Sequence, residues 1–310
     1  MSESVFRMQL PATSANLGSG FDTAAVALSF SLEIEAAPSD EFSIDATGSD
    51  AQMCAQLENN LILKTYCDVL SKHGAPIRPL AIRMHNGIPL GMGCGSSAAG
   101  RLASIAMAVH FGNLKWSNDQ ILEEACAQEG HPDNAAACWL GGFVAAAQDG
   151  KSIQVARVEP PAEWRVIIVH PAEALPTSTA RAVLPTSYSS AEVVTNLQSV
   201  SMLGLAFAQK RGDLLRTAMR DRIHQPYRSE ICPLLPRLLP LAGREGILGV
   251  ALSGAGPAVL VIVRSEDEVG SAGQLIKSAV SGICTPRLLE CRFEERGAMD
   301  FLMASQLSEA

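Results

Sequence analysis

The stretch Pro89-Leu-Gly-Met-Gly-Cys-Gly-Ser-Ser-Ala-Ala99 constrains this chain more than any other. Its glycines stand at every second position, Gly91, Gly93 and Gly95, and Ser96 and Ser97 lead into an alanine-rich run. Glycine accepts positive φ and leaves no side chain between the peptide N–H groups and a ligand. Ala98 to about His110 is apolar and free of proline, which predicts a buried helix. Ser96 and Ser97 are expected where that helix begins, a place where hydroxyls cap and where orphan N–H groups and the dipole favour an anion. A glycine loop feeding a helix N-terminus is a phosphate cradle. A glycine-rich turn with no ligand is the other reading, and this stretch alone leaves both open.

Two familiar phosphate loops fit poorly, and a dinucleotide dehydrogenase is left a distant third reading. A P-loop needs a lysine directly after its last glycine, and none stands in or just after this run. A dinucleotide loop needs a third glycine where this chain has Ser96. Length favours two domains, because 310 residues is where a single core stops growing. With 47% apolar and 18% charged residues the chain is well cored, and its net charge of −8 argues against a nucleic-acid or anionic-membrane surface. Met1 to Ser4 has no basic start and no apolar run follows, so neither a leader nor a membrane span is expected. The eight cysteines form no Cys-x-x-Cys and no zinc spacing, and they read as small buried hydrophobes of a reducing cytoplasm.

In chain order, Val5 to Leu10 alternates as a strand and delivers Pro11-Ala-Thr-Ser-Ala-Asn-Leu-Gly-Ser-Gly-Phe-Asp22. Before the strand expected at Ala24 to Ala36, these twelve residues read as a long ordered loop, in which Asn16 and Asp22 suit a hydroxyl or an ammonium. Residues 41 to 50 read as turn. Asn60 should cap a helix from Leu61 to His73, and Ser117 with Gln120 forms a capping box for a helix to Gln128. That helix stops at Glu129-Gly-His-Pro-Asp-Asn134, a turn by composition and also a concentration of catalytic types. Glu123, Glu124 or Glu129 could give a divalent ion a carboxylate.

Glu159-Pro-Pro-Ala marks a domain boundary, so 1–158 and 159–310 are the expected units. Beyond it come a strand to His170, a short helical piece at Thr177 to Arg181, and helices over 191–210, 214–223 and 234–243. The last is interrupted by Pro236 and Pro240. Two strands flank Ser253-Gly-Ala-Gly-Pro257, whose tip, with Gly254, is a turn or a second phosphate or substrate contact. Irregular alternation of strands and helices favours a two-domain α+β fold.

Three small-residue segments, far apart in sequence, now stand next to strand or helix ends. Together, and in order over nearly the whole chain, Pro11–Asp22, Pro89–Ala99 and Ser253–Pro257 resemble the three motifs of the GHMP kinases. Glu129–Asn134 and Asp221-Arg-Ile-His-Gln-Pro-Tyr-Arg228 are similar to stretches of its homoserine-phosphorylating branch. Ser19 stands where the family usually has proline and Cys94 where it usually has leucine.

The resemblance implies an N-terminal ATP-binding, S5-like domain, a ferredoxin-like C-terminal domain, and ATP- and Mg²⁺-dependent phosphorylation of the L-homoserine hydroxyl on the route to threonine. It places Pro89 to Ala99 (Pro89, Leu90, Gly91, Met92, Gly93, Cys94, Gly95, Ser96, Ser97, Ala98 and Ala99) around the phosphates. Ser97 (or Ser96) and Glu123 would hold Mg²⁺, and Asn60 would lie near the base. Arg181 and Arg228 would fork the substrate carboxylate. Asp22, Asp133 and Asn134, with Asn16, His131, Thr177 and Gly254, would hold the ammonium and orient the hydroxyl. Whether Asp133 is a general base or an ammonium ligand stays open, as do a sister kinase of mevalonate or a sugar and a non-catalytic nucleotide or metabolite binder. Dimeric assembly is a further expectation of the resemblance.

Overall fold

The computed structural model describes residues 5–302, so the reading of Met1 to Ser4 falls outside it. Two sheets form the scaffold. In the first, strands run β3-β4-β2-β5-β6, and β1 pairs with β2 off that path. Their spans are β1 (Phe6–Asn16), β2 (Gly20–Pro38), β3 (Ser43–Gly48), β4 (Leu80–Asn86), β5 (Phe143–Asp149) and β6 (Ser152–Val158). The second sheet orders β7 (Arg165–His170), β8 (Ile247–Leu252), β9 (Val259–Val263) and β10 (Arg287–Cys291) as β10-β7-β9-β8. With helices between β7 and β8 and between β9 and β10, that is the split β-α-β ferredoxin-like arrangement.

Both faces of the second sheet are buried, which accounts for its unbroken β-branched runs. On β9, Leu260 and Ile262 face the core shared with the first sheet, while Val259, Val261 and Val263 face a second core under the helix Val269–Ala279. After β10 the chain rejoins the first sheet, where Glu294 N–H donates to Ala27 C=O at 3.0 Å and Gly142 N–H to Glu294 C=O at 2.7 Å.

Three local expectations change. Pro11 to Asn16 is the continuation of β1, and only residues 17–19 turn, so the twelve-residue loop is the tip of a bulged hairpin. Residues 43–48 form β3, parallel to β4, where edge placement leaves the polar side chains in water. The helix expected over 214–223 ends at Ala218. Beyond it the Asp221 carboxylate takes the N–H groups of Ile223, His224 and Gln225 (2.9, 2.9 and 2.6 Å), fixing a turn before the short helix Gln225–Arg228. Among the described residues no helix is long and apolar enough to cross a membrane, and all eight cysteines are unbridged.

Candidate active site

The three glycine-bearing segments interlock through their backbones. Thr13 N–H donates to Cys94 C=O at 3.1 Å, and Gly254 N–H to Ala15 C=O at 3.0 Å. Ser253 Oγ lies 2.8 Å from both the Gly93 carbonyl and Ser14 Oγ, so its single proton goes to the carbonyl and it accepts from Ser14. Asn16 spends its amide here too, donating to Gly254 C=O at 2.8 Å and accepting from Asp22 N–H at 3.0 Å. Around this knot lies a cavity of about 340 Å³. It brings together Asn16, Asp22, His131, Asp133, Asn134, Thr177, Arg181, Arg228 and Gly254 with Gly91, Gly93 to Ala98, all expected from sequence.

The glycine loop works by alternation. Met92 and Cys94 are buried, Cys94 still forming part of the cavity wall, and Gly91, Gly93 and Gly95 line the cavity at φ of 67°, 77° and 73°. The N-cap of the loop helix (Ser96–Phe111) is Gly95, not a serine. Ser96 and Ser97 are its first two helical residues, in the turn whose N–H groups have no intrahelical partner.

Ser97 Oγ donates to Glu129 Oε1 at 2.6 Å, and Arg101 Nε reaches the same oxygen at 2.6 Å. The expected partner, Glu123, does not line the cavity. It stands six residues back on the helix Asn118–Glu129, about 9 Å along the axis and on another face. Glu129, on the last turn, is the carboxylate that meets the loop. Glu124 is bound to Lys72 at 3.2 Å. Glu129→Gln should therefore lower kcat/KM for MgATP turnover about tenfold to a hundredfold, with Glu123→Gln within about twofold of the parent, in matched steady-state assays.

At the other end of the cavity the charges are arranged in layers. Arg181 holds Asp22 with both nitrogens, at 2.8 and 3.1 Å, which raises the guanidinium pKa. Its fork is thus closed on a protein carboxylate rather than open to a ligand. Arg228 is 1% exposed yet makes no ion pair among the described residues. Its partners are the Ala180 carbonyl (3.0 Å), the Gly254 carbonyl (3.3 Å) and His224 Nδ1 (3.1 Å). Burial, then the nearby Arg181, holds its pKa below the usual arginine value. Both guanidiniums lie over Phe21, 5.6 and 5.4 Å from its centre.

His224, fully buried, must donate from Nε2 to Gly18 C=O (2.8 Å) and accept at Nδ1 from Arg228. It is the neutral Nε2–H tautomer, and burial lowers its pKa accordingly. Asp133, 1% exposed, opens the helix Asp133–Leu140. Its Oδ1 accepts from Asn134 N–H at 2.7 Å and pairs with His131 Nδ1 at 2.7 Å, while Oδ2 makes no hydrogen bond and is open to the cavity. Burial works against the charged form of His131, but the Asp133 hydrogen bond and charge outweigh it and raise the pKa. Asn134 is held by Thr13 Oγ1, which donates to its Oδ1 at 2.6 Å.

Asp22, His131 and Asp133 bring one ligand atom each within 4.8 Å of one another, the spacing of a metal site. Two of the three are already paired within the protein, Asp22 with Arg181 and His131 Nδ1 with Asp133 Oδ1. A metal would have to displace both pairs, while a hydrogen-bonding cation can use Asp133 Oδ2 and the remaining lone pairs of Asp22.

Asn60 lies elsewhere. Its amide caps the helix Leu61–Lys72 and donates to the Cys54 and Gln56 carbonyls (3.0 and 2.8 Å), and it lines a neighbouring, largely apolar cavity of about 340 Å³ with Leu90, Ser96, Ser97 and Gly100. Pro89, Met92 and Ala99 line neither cavity. Sequence reasoning missed Arg101, Phe21, His224 and Thr13. His224 carried a signal in its place in the Asp221–Arg228 stretch, and Thr13 and Phe21 in theirs within Pro11–Asp22; Arg101 carried none.

A loop built for phosphate, beside a pocket that pairs a buried cation with an open carboxylate oxygen, is the arrangement of a small-molecule kinase. Residues 60–142 match the GHMP kinases N terminal domain and residues 205–281 the GHMP kinases C terminal domain. The homoserine kinase of Solibacter usitatus is 40% identical over 96% of this chain and 97% of its own, and that of Carboxydothermus hydrogenoformans 35% identical over 94% and 96%. The crystal structure of homoserine kinase from Cytophaga hutchinsonii superposes with a TM-score of 0.80 at 25% identity, covering 96% of this chain and 97% of that one. The crystal structure of L. major mevalonate kinase shares the fold, with a TM-score of 0.71 over 96% of this chain and 98% of that one at 14% identity. The chain belongs to the GHMP kinase family, ATP-dependent kinases of small molecules, and its curated relatives place it among the homoserine kinases.

Proposed function

We propose that this chain transfers the γ-phosphoryl group of ATP to the side-chain hydroxyl of L-homoserine, forming O-phospho-L-homoserine on the way to threonine. The observation that carries the reading is the pairing, in one cavity, of Arg228, a buried guanidinium without an acid, and Asp133, a buried acid with an open oxygen. An amino acid needs both; mevalonate and sugars have no ammonium for the acid side.

Phosphoryl transfer is mostly positioning and charge neutralisation. The loop N–H groups and the first turn of the helix Ser96–Phe111 hold the phosphates. Arg228 takes the substrate carboxylate, with Arg181 supplying field from behind its Asp22 pair. The ammonium sits between Asp22 and Asp133, and Asn134, fixed by Thr13, orients the hydroxyl. The hydroxyl proton passes to a phosphate oxygen, because a loose transition state needs little help from a base and Asp133 is committed to the ammonium.

The donor set at the loop, a serine hydroxyl against a glutamate carboxylate, is the hard-oxygen chemistry that fits Mg²⁺. Ser97 and Glu129 would hold the ion, which supplies charge neutralisation on the phosphates. The residue units 1–158 and 159–310 would then divide the labour, the first carrying the loop and the second Arg181 and Arg228.

The test is ligand-dependent unfolding. L-Homoserine at a hundred times its Kd should add about 2.7 kcal/mol of stability in the presence of a non-hydrolysable MgATP analogue, with R-mevalonate and galactose inert. Stabilisation by mevalonate and not by homoserine would reassign the substrate. In Asp133→Asn, ammonium binding implies a KM for homoserine raised about tenfold or more; a kcat drop beyond about a hundredfold at unchanged KM would instead make Asp133 the base.

A further inference from the structure

A second cavity, of about 450 Å³, opens on the outer side of the Asp221–Gln225 turn and shares no lining residue with the active-site cavity. Three exposed arginines, Arg216, Arg220 and Arg222, line it, in a chain whose net charge is −8. None of them makes an ion pair among the described residues. The single acid in the lining, Asp221, pairs with none of the three; its oxygens accept three backbone N–H groups instead. Arg222 feels Glu192 only through space, and that carboxylate is bound into the Ser189 cap. Arg216 is also seated: Gly243, at φ 87°, has no Cβ where the Arg216 chain lies, and one placed there would come within 3.0 Å of its Cδ. Gln225 and Ser229 are the other polar residues of the lining, their side chains engaged with Leu252 N–H and the Gln225 carbonyl (both 2.8 Å), and Met219, Pro226, Leu239, Pro240, Ala242 and Val250 make an apolar wall beside them.

We infer that this cavity is a second binding site, for a small phosphate monoester, with the guanidiniums of Arg216, Arg220 and Arg222 on the phosphate and the apolar wall against the ester group. Guanidinium forks match phosphate oxygens in pairs. A monoester carries about −1.5 to −2 charges at neutral pH, against one for a carboxylate, which suits three cations with no acid of their own. The site needs no substrate at the glycine loop and does not depend on which molecule is phosphorylated there.

The experiment is calorimetric titration with glycerol 3-phosphate and, separately, inorganic phosphate, with a non-hydrolysable ATP analogue saturating the glycine loop. The parent protein should bind glycerol 3-phosphate saturably and more tightly than inorganic phosphate. The double variant Arg216→Gln/Arg220→Gln, altered at two exposed positions, should lose about tenfold or more in affinity while melting within a few degrees of the parent. Variant binding within about twofold of the parent, no saturable binding to the parent, or an equal response to chloride at matched ionic strength would each overturn the assignment.

Discussion

Replacing Gly95 by alanine is expected to abolish turnover and to destabilise the protein by about 2–5 kcal/mol, the sum of a left-handed backbone forced on a Cβ and an overpacked contact. Gly95 has φ 73°, and a Cβ there would run into the Thr13 hydroxyl, with Asn134 Oδ1 at 3.3 Å on its other side. Thr13 holds Asn134, and Asn134 belongs to the substrate end, so one methyl group disturbs both halves of the site. Chemical denaturation and a nucleotide-binding titration on the same sample check this. The companion substitution Gly130→Ala separates the causes: φ is 82° there too, but nothing lies within 4 Å of the added Cβ. It should cost about 1–2 kcal/mol of backbone strain and leave nucleotide binding intact. Equal loss of nucleotide binding in both would contradict the close-contact explanation.

Arg228→Lys is expected to raise the KM for homoserine about tenfold to a hundredfold and to leave the KM for MgATP within about twofold. Lysine keeps the charge but not the planar fork, and it cannot at once reach the Ala180 carbonyl, His224 and a carboxylate. Arg228→Met removes the cation as well and should leave no measurable homoserine saturation. Because Arg228 also braces the Asp221–Arg228 turn, the thermal midpoint of each variant is measured alongside. A homoserine KM unchanged in both variants, with both folded, would remove Arg228 from the substrate site.

The parts of this molecule legible in the sequence are those whose cause is local. The Asn60 cap, the Ser117–Gln120 box and the glycine loop each declare themselves within four to eleven residues, and each lies where expected. What was not legible depends on partners distant in the chain. β3 reads as turn because its edge position, not its composition, makes it a strand. Pro11 to Asn16 reads as loop because its small polar residues are those of an interior crossing, packed against residues 93–94 and 253–254. From the residues alone Glu123, Glu124 and Glu129 stand equal, and Glu123 rests on the family resemblance; the helix's last turn, which aims Glu129 at Ser97, depends on a loop some thirty residues away and leaves no local sign. The closure of Arg181 on Asp22, 159 residues away, has no trace in either residue's neighbourhood.

The most direct test of the central claim is ADP release by the purified protein with MgATP and, in turn, L-homoserine, R-mevalonate and galactose. Homoserine-dependent turnover that falls about a hundredfold or more in Ser97→Ala and loses homoserine saturation in Arg228→Met is the expected result. Turnover with mevalonate or galactose in preference to homoserine, or homoserine turnover indifferent to both substitutions, would contradict it.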